Sequence, residues 1–103
     1  MTRRRSIDFR RIAAEAAQRS EMIVQRWLPD GRRESGEWVA RNPKRADGRL
    51  GSFKINLRTT LWSDFATGES GRDLIALAAF LFDLKQDRAA LRVAEMLGID
   101  PFG

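Results

Sequence analysis

The chain has 103 residues, enough for one domain with a single hydrophobic core, and 43% of its residues are hydrophobic. It contains no cysteine and no histidine, which excludes disulfides, the usual tetrahedral zinc sites and catalysis by either side chain. Nineteen basic residues against 14 acidic ones give a net charge of +5, and sixteen of the nineteen are arginine.

The arginine bias has two interpretations. A guanidinium group grips phosphate with two parallel hydrogen bonds and stacks on bases, which favours a nucleic-acid partner. Genomes rich in GC produce the same bias through their codons, so both interpretations stay open. The longest apolar stretch, residues 74 to 82, is too short to cross a membrane, and no signal-peptide pattern precedes it. We therefore expect a cytoplasmic protein without a membrane partner.

Residues 7 to 28 are predicted to form one amphipathic helix. Ser6 is its expected N-cap, and Pro29 ends it because proline cannot continue the hydrogen-bond ladder. Residues 1 to 6 include Arg3-Arg4-Arg5 and are predicted to be a flexible basic arm. Apolar residues at helical spacing form one stripe: Ile7, Phe9, Ile12, Ala13, Ala16, Ile23 and Trp27.

Residues 31 to 66 are predicted to form a three-stranded antiparallel sheet, with strands at 37–40, 52–57 and 60–65. The middle strand alternates, with Phe53, Ile55 and Leu57 on one face and Ser52, Lys54 and Asn56 on the other. A long basic loop, residues 42 to 51, joins the first two strands. Arg58-Thr59 is the expected hairpin connection.

The aromatic residues of these strands are predicted to hold the sheet. Phe53 and Phe65 are assigned to the core, because large aromatic side chains are usually buried. Trp62 alternates with Leu61, Ser63 and Phe65, which leaves two interpretations: a core residue, or a platform on which a base stacks.

Two helices are predicted to complete the domain. The first spans residues 70 to 83, with Ser70 as N-cap and Asp73 in its first turn, and the second runs from about 86 to 97 and stops at Gly98. Residues 99 to 103 are expected to be a tail or linker. The sequence thus predicts a single α+β domain: an N-terminal helix, three antiparallel strands, and two C-terminal helices on one face.

An ordered series of short motifs resembles a known domain. Gly51-Ser52-Phe53-Lys54-Ile55-Asn56 is followed by Leu61-Trp62-Ser63-Asp64-Phe65-Ala66-Thr67-Gly68, Gly71-Arg72-Asp73-Leu74-Ile75 and Ala94-Glu95-Met96-Leu97-Gly98-Ile99. The series is similar to the N-terminal zinc-ribbon domain of bacterial and phage replicative primases. It is closer still to the cysteine-free version in plasmid and mobile-element primase-like proteins, which precedes a polymerising or toprim-type domain.

The resemblance implies a zinc-ribbon-like sheet and a DNA-contacting role in replication. The family's first pair of zinc ligands would fall near Asn42-Pro43 and its second pair at Asp64 and Thr67, and none of these is a thiol. Metal binding therefore does not carry over, and no cofactor is expected. Since a structural zinc contributes on the order of 10 kcal/mol to the folding of such domains, Trp38, Phe53, Trp62, Phe65 and the helices must replace it.

The predicted nucleic-acid site combines the cations of the loop, the middle strand, the hairpin and the helix start with a stacking residue, Trp62 or Trp38. Single-stranded DNA, or an RNA–DNA hybrid, offers phosphates to the cations and bases to the aromatic ring. The alternative is that the cations form a solvated face. The predicted site residues are Arg41, Lys44, Arg45, Arg49, Lys54, Arg58, Trp62 and Arg72.

Two rival functions come from other classes. A protein-interaction module would dock a helicase or an adjacent primase catalytic domain, and an exposed apolar patch around Phe80, Phe82 and Phe102 would favour it. An enzyme would use Asp64 and Asp73 as paired carboxylates, although the pattern favours a strand end for Asp64 and a helix cap for Asp73. We predict no catalytic residue, and expect the domain to serve a larger enzyme such as a DNA primase.

Overall fold

The computed structural model of the protein describes residues 6–45 and 51–103. In these two ranges, four helices and a five-stranded antiparallel sheet make an α+β fold. The α+β class is therefore confirmed, while the predicted numbers of helices and strands are not. Residues 1–5 of the predicted basic arm and residues 46–50 of the basic loop, with Arg49, lie outside the described residues.

The N-terminal amphipathic stretch forms two helices, α1 (Phe9–Ala17) and α2 (Ser20–Trp27), so the prediction of one helix was wrong. The chain turns between them, where the Arg19 amide donates to the Ala16 carbonyl at 3.0 Å. Of the predicted apolar stripe, Ile12, Ala16 and Ile23 are buried, whereas Phe9 is exposed. The cap of α1 is Asp8, whose carboxylate accepts from the Arg11 amide at 3.1 Å, and not Ser6.

The sheet has the order β1 (Arg32–Glu34), β2 (Glu37–Ala40), β3 (Phe53–Asn56), β4 (Trp62–Asp64) and β5 (Ser70–Gly71), with every neighbour antiparallel. The three predicted strands are β2, β3 and β4, the latter two shorter than predicted. Two short edge strands, β1 and β5, were missed.

A two-residue turn explains β1. Ser35 and Gly36 both have positive φ angles, 48° and 81°, and they connect the paired residues Glu34 and Glu37. This is the type I′ geometry that matches the right-handed twist of a hairpin. The turn folds a wholly exposed polar strand back onto β2.

The helices after the sheet are α3 (Leu74–Phe82) and α4 (Gln86–Leu97). Helix α3 begins four residues later than predicted, because Ser70 belongs to β5 and Asp73 is the N-cap, accepting from the Ala76 amide at 2.8 Å. The end of α4 is as predicted, since Gly98 adopts a left-handed conformation with φ 72°.

One face of the sheet carries the core. Register places Trp38, Ile55 and Trp62 in one row across the strands, and Ala40, Phe53 and Asp64 in the next. Helix α3, which has no polar residue, lies against this inner face and packs with α1 and α4. Phe53 is buried as predicted, and Trp38 and Trp62 are buried as well, so the helices leave only the opposite, outer face of the sheet open.

The last residues fold back on the start of α1. The Asp8 amide donates to the Pro101 carbonyl at 2.8 Å, the Gly103 amide donates to the Ser6 carbonyl at 3.0 Å, and Phe102 forms an antiparallel bridge with Ile7. In the described ranges, no helix is long and apolar enough to cross a membrane.

Candidate nucleic-acid interface

The outer face of the sheet presents polar side chains from adjacent strands. Lys54 of β3 pairs with Ser63 of β4, which pairs with Ser70 of β5, so the three side chains form a row pointing away from the helices. The row lies in an open groove, which we call the outer-face groove. The groove is also lined by Glu37, Asn56, Leu61, Phe65, Gly71, Arg72 and an edge of Trp62.

Phe65 is the most exposed large apolar residue of the described chain, with 74% of its surface accessible. It directly follows β4, and its amide donates to the Ser52 carbonyl at 3.1 Å, which holds its backbone beside the start of β3. The ammonium group of Lys54 lies 5.9 Å from the centre of the Phe65 ring. The prediction that Phe65 belongs to the core was wrong.

Trp62 is a core residue, which resolves the two interpretations left open by the sequence. It is 5% exposed, and its ring stacks on Phe53 at a centroid distance of 6.0 Å. Trp38 is also 5% exposed and donates its indole N–H to the Leu28 carbonyl at 3.0 Å. The faces of both rings are covered, so neither tryptophan offers a surface on which a base stacks.

Three of the predicted cations project from or near the outer face. Lys54 and Arg72 line the outer-face groove, and Arg58 is exposed in the turn between β3 and β4. Within the described part of the chain, neither Arg58 nor Arg72 forms an ion pair. Their charge is therefore not neutralised by a described acidic neighbour.

The cations that follow β2 have different surroundings. Lys44 donates to the Phe80 carbonyl at 3.0 Å and pairs with Asp83, which ties the loop to the end of α3. The guanidinium of Arg45 lies 3.8 Å from the Asp64 carboxylate. Arg41 is exposed and lines a separate pocket with Trp27 and Pro29. The predicted constellation is thus divided, and Lys44 and Arg45 have structural partners.

Asp64 is buried and fully inaccessible to solvent. Its carboxylate accepts from the Asn42 side-chain amide and from the Ala66 backbone amide, each at 2.9 Å. Burial raises the pKa of Asp64, but these hydrogen bonds, with smaller effects of Ser52 and Arg45, outweigh it and hold the pKa below its ordinary value. The Ser52 hydroxyl makes no hydrogen bond of normal geometry to a described residue, so we assign it a weak effect.

The two candidate carboxylates therefore have separate structural roles. Asp64 binds the end of β2 to the turn after β4, and Asp73 caps α3. In the described ranges, no three acidic side chains converge in a way that could hold a metal ion. The outer-face groove instead combines cations with one exposed aromatic ring.

The apolar patch predicted around Phe80, Phe82 and Phe102 is only partly exposed. The ring centroid of Phe80 lies 5.3 Å from that of Trp62 and 6.1 Å from that of Phe53. Phe102 is half-buried. Phe82 is 42% exposed and makes an edge-to-face contact with Trp27 at 5.6 Å. Of the three phenylalanines named for that patch, only Phe82 offers a substantial surface.

Sequence reasoning missed Phe65 as a candidate site residue, although the signal was present. In β4, Trp62 and Asp64 share one face, so strict alternation places Ser63 and Phe65 on the other. Once Trp62 is assigned to the core, Phe65 has to lie outside.

No known protein family, curated protein or solved structure matches the chain, so its function has to be inferred from its own geometry.

Proposed function

We propose that this domain binds single-stranded DNA along the outer-face groove, as a non-catalytic module of a primase-like replication protein. The observation that carries the proposal is the exposure of Phe65, 74%, with the ammonium group of Lys54 5.9 Å from the centre of its ring. An aromatic ring left this open in a folded domain offers a π face to a ligand, and a nucleobase stacks on such a face whatever its sequence.

Lys54 and Arg72 supply the charge that such a ligand requires. A single strand presents bases and phosphates together, so a ring flanked by an ammonium and a guanidinium group meets both parts of each nucleotide. The hydroxyls of Ser63 and Ser70 lie in the same groove and are able to donate to phosphate oxygens. A duplex hides its base faces, so the ring favours single strands.

Glu37 limits where the phosphates run. It is the one acidic residue lining the outer-face groove in the described part of the chain, and it pairs with Asn56, two residues along β3 from Lys54. Phosphates are repelled from that end and attracted towards Lys54 and Arg72. The Asn56 side chain accepts from the Arg58 and Thr59 amides at 2.9 Å each, so its carbonyl oxygen shapes the turn.

The assignment to a primase-like protein is supported by the positions at which the resembling family carries zinc ligands. Asn42 and Asp64 are joined by their side-chain hydrogen bond, and the Thr67 amide donates to the Asp64 carbonyl at 3.3 Å. Polar contacts thus connect the two segments that a metal connects in the family. On this proposal, the partners are template DNA or an RNA–DNA hybrid and an adjoining catalytic domain.

The proposal is tested by fluorescence anisotropy with labelled single-stranded and duplex oligonucleotides, using wild type, Phe65→Ala and Phe82→Ala. Loss of one stacked base costs about 1–3 kcal/mol, so Phe65→Ala should weaken single-strand binding by roughly 5- to 150-fold. Phe82→Ala removes an exposed ring from the helical side and should bind like wild type. Equal affinity of wild type and Phe65→Ala would rule out the outer-face groove.

A second candidate function concerns the helical side. Phe82 and Trp27 lie in a groove between α2, α3 and α4 that is also lined by Arg26, Arg92 and Met96, a surface able to dock a helicase or catalytic domain. A Phe82→Glu variant, measured by sedimentation with the adjoining catalytic domain, tests this. Loss of association with unchanged DNA binding would establish docking on that side.

A further inference from the structure

The turn after β4 is wrapped around the Asp64 backbone. The amides of Thr67 and Gly68 donate to the Asp64 carbonyl at 3.3 and 2.8 Å, and the Asp64 amide donates to the Glu69 carbonyl at 2.8 Å. The Ala66 amide donates to the carboxylate. Phe65 lies inside this turn, so its direction depends on how Asp64 is held.

The loop after β2 is organised by the same carboxylate through Asn42. Asn42 is 2% exposed, and its side-chain amide donates to Asp64 Oδ2 while its oxygen accepts from the Lys44 amide at 2.9 Å. The Arg45 amide donates to the Asn42 carbonyl at 3.1 Å, and the Arg45 guanidinium approaches Asp64. One buried pair therefore fixes the segment carrying Lys44 and Arg45 relative to the segment carrying Phe65.

The two segments belong to strands that are not neighbours. Residues 42–45 follow β2, and residues 64–68 begin at the last residue of β4. In the sheet, β3 lies between these two strands. The burial of both Asn42 and Asp64 removes water as a competitor for their hydrogen bond and strengthens it. This hydrogen bond therefore anchors the turn that carries Phe65 to a second part of the fold, which a stacking ring needs in order to keep one direction.

We infer that Asp64 is a positioning residue for the DNA-binding surface: through its hydrogen bonds to Asn42 and Ala66 it holds the turn that sets the direction of Phe65. The inference rests on the proposed function. Asp64 has no exposed surface, so any effect on affinity is transmitted through Phe65.

The donor and acceptor pattern allows a sharp test. In Asp64→Asn, the new amide oxygen still accepts from Ala66, but the amide nitrogen faces the Asn42 amide nitrogen, donor against donor. Asn42 cannot turn over without losing its bond from Lys44. In the exchanged variant Asn42→Asp/Asp64→Asn, the carboxylate now at position 42 accepts from the Lys44 amide and from the side-chain amide now at position 64. The exchange therefore restores each of these hydrogen bonds. The buried hydrogen bond between positions 42 and 64 then has its donor at position 64 and its acceptor at position 42.

The experiment measures single-strand affinity by anisotropy, and thermal stability, for wild type, Asp64→Asn, Phe65→Ala, the double variant Asp64→Asn/Phe65→Ala, and the exchanged pair. Asp64→Asn should bind about tenfold more weakly, within the range for loss of one stacked base. In the Phe65→Ala background, Asp64→Asn should lower the single-strand affinity by much less than tenfold, because the ring that Asp64 positions is already absent. The exchanged pair should recover most of the affinity.

The outcomes separate the two levels of the argument. If wild type binds and Phe65→Ala weakens it, but Asp64→Asn binds like wild type, the positioning role is wrong and the binding site stands. If the exchanged pair is as stable as wild type yet binds as weakly as Asp64→Asn, or if the two single effects are additive, the role is likewise wrong. Wild type that fails to bind single strands overturns the proposed function itself.

Discussion

The indole nitrogen of Trp62 donates a 3.1 Å hydrogen bond to the main-chain carbonyl of Asp73, the residue that caps α3. One side chain thus connects the centre of the sheet to the start of the helix packed on it. Phe53 and Phe80 cover the ring on the core side, at 6.0 and 5.3 Å between centroids. These three contacts explain why Trp62, although its strand borders the outer-face groove, offers no free ring face on which a base could stack.

Tryptophan fluorescence should therefore be insensitive to DNA. In a Trp27→Phe variant, the remaining fluorophores are Trp38 and Trp62, each 5% exposed. Saturating single-stranded DNA should leave the emission intensity and maximum nearly unchanged, while anisotropy of the labelled strand reports full binding. Strong quenching on binding would show instead that a base reaches one of the two rings.

Gly71 is required by the same tryptophan. A Cβ at this position would lie 2.5 Å from two atoms of the Trp62 ring, closer than any normal contact. Gly71→Ala should lower the free energy of unfolding by about 1–3 kcal/mol, the usual cost of overpacking. Urea denaturation measures the loss. The neighbouring Ser70→Ala is the control, since Ser70 is exposed and its replacement should change stability by less than about 0.5 kcal/mol.

Much of the fold could be predicted because its signals are local. Alternation identified β3, and the Gly98 stop fixed the end of α4. No glycine or proline lies at the break between α1 and α2, so the sequence gives no signal for it. The three residues of β1 are all exposed and polar, and only the short turn Ser35-Gly36 marked it. Strands that lack apolar alternation give a search for periodicity nothing to detect.

The candidate site was harder to predict because its partners are distant in sequence. Lys44 is held by Asp83 and Arg45 by Asp64, contacts that only the folded chain creates. Both looked like free loop cations. The sequence prediction also assigned Phe65 to the core and base stacking to Trp62 or Trp38, and the structure has these residues the other way round in exposure. Alternation in β4 allows Trp62 or Phe65 to face the core, but not both.

Acid should weaken the fold partly through Asp64. Its pKa in the folded protein lies below the ordinary value of 3.8, so the ionised carboxylate stabilises the fold above that pH. That stabilisation is lost as the pH falls through the folded-state pKa. The Asn42 side chain and the Ala66 amide donate to the carboxylate, and Arg45 is the charged group that lowers its pKa.

Asp64→Asn should accordingly reduce the free energy of unfolding by about 1–3 kcal/mol near neutral pH, because a buried, charge-assisted hydrogen bond is lost. Urea titrations between about pH 6 and pH 3 should show wild type falling towards the variant, since the variant lacks this titrating group. Parallel curves over the whole range would mean that Asp64 titrates alike in the folded and unfolded states.

The salt dependence of binding distinguishes phosphate contacts from general charge. Lys54 and Arg72 line the outer-face groove, whereas Lys85 and Arg88 are exposed around the start of α4, on the helical side. Each pair contributes the same charge, so Lys54→Ala/Arg72→Ala and Lys85→Ala/Arg88→Ala are matched variants. If Lys54 and Arg72 each neutralise one phosphate, the log–log salt slope for a single strand should become shallower by about 1.4, twice about 0.7 per phosphate. The α4 variant should keep the wild-type slope. Equal changes of slope in both variants would mean that DNA responds to the overall positive charge and does not contact Lys54 and Arg72 specifically.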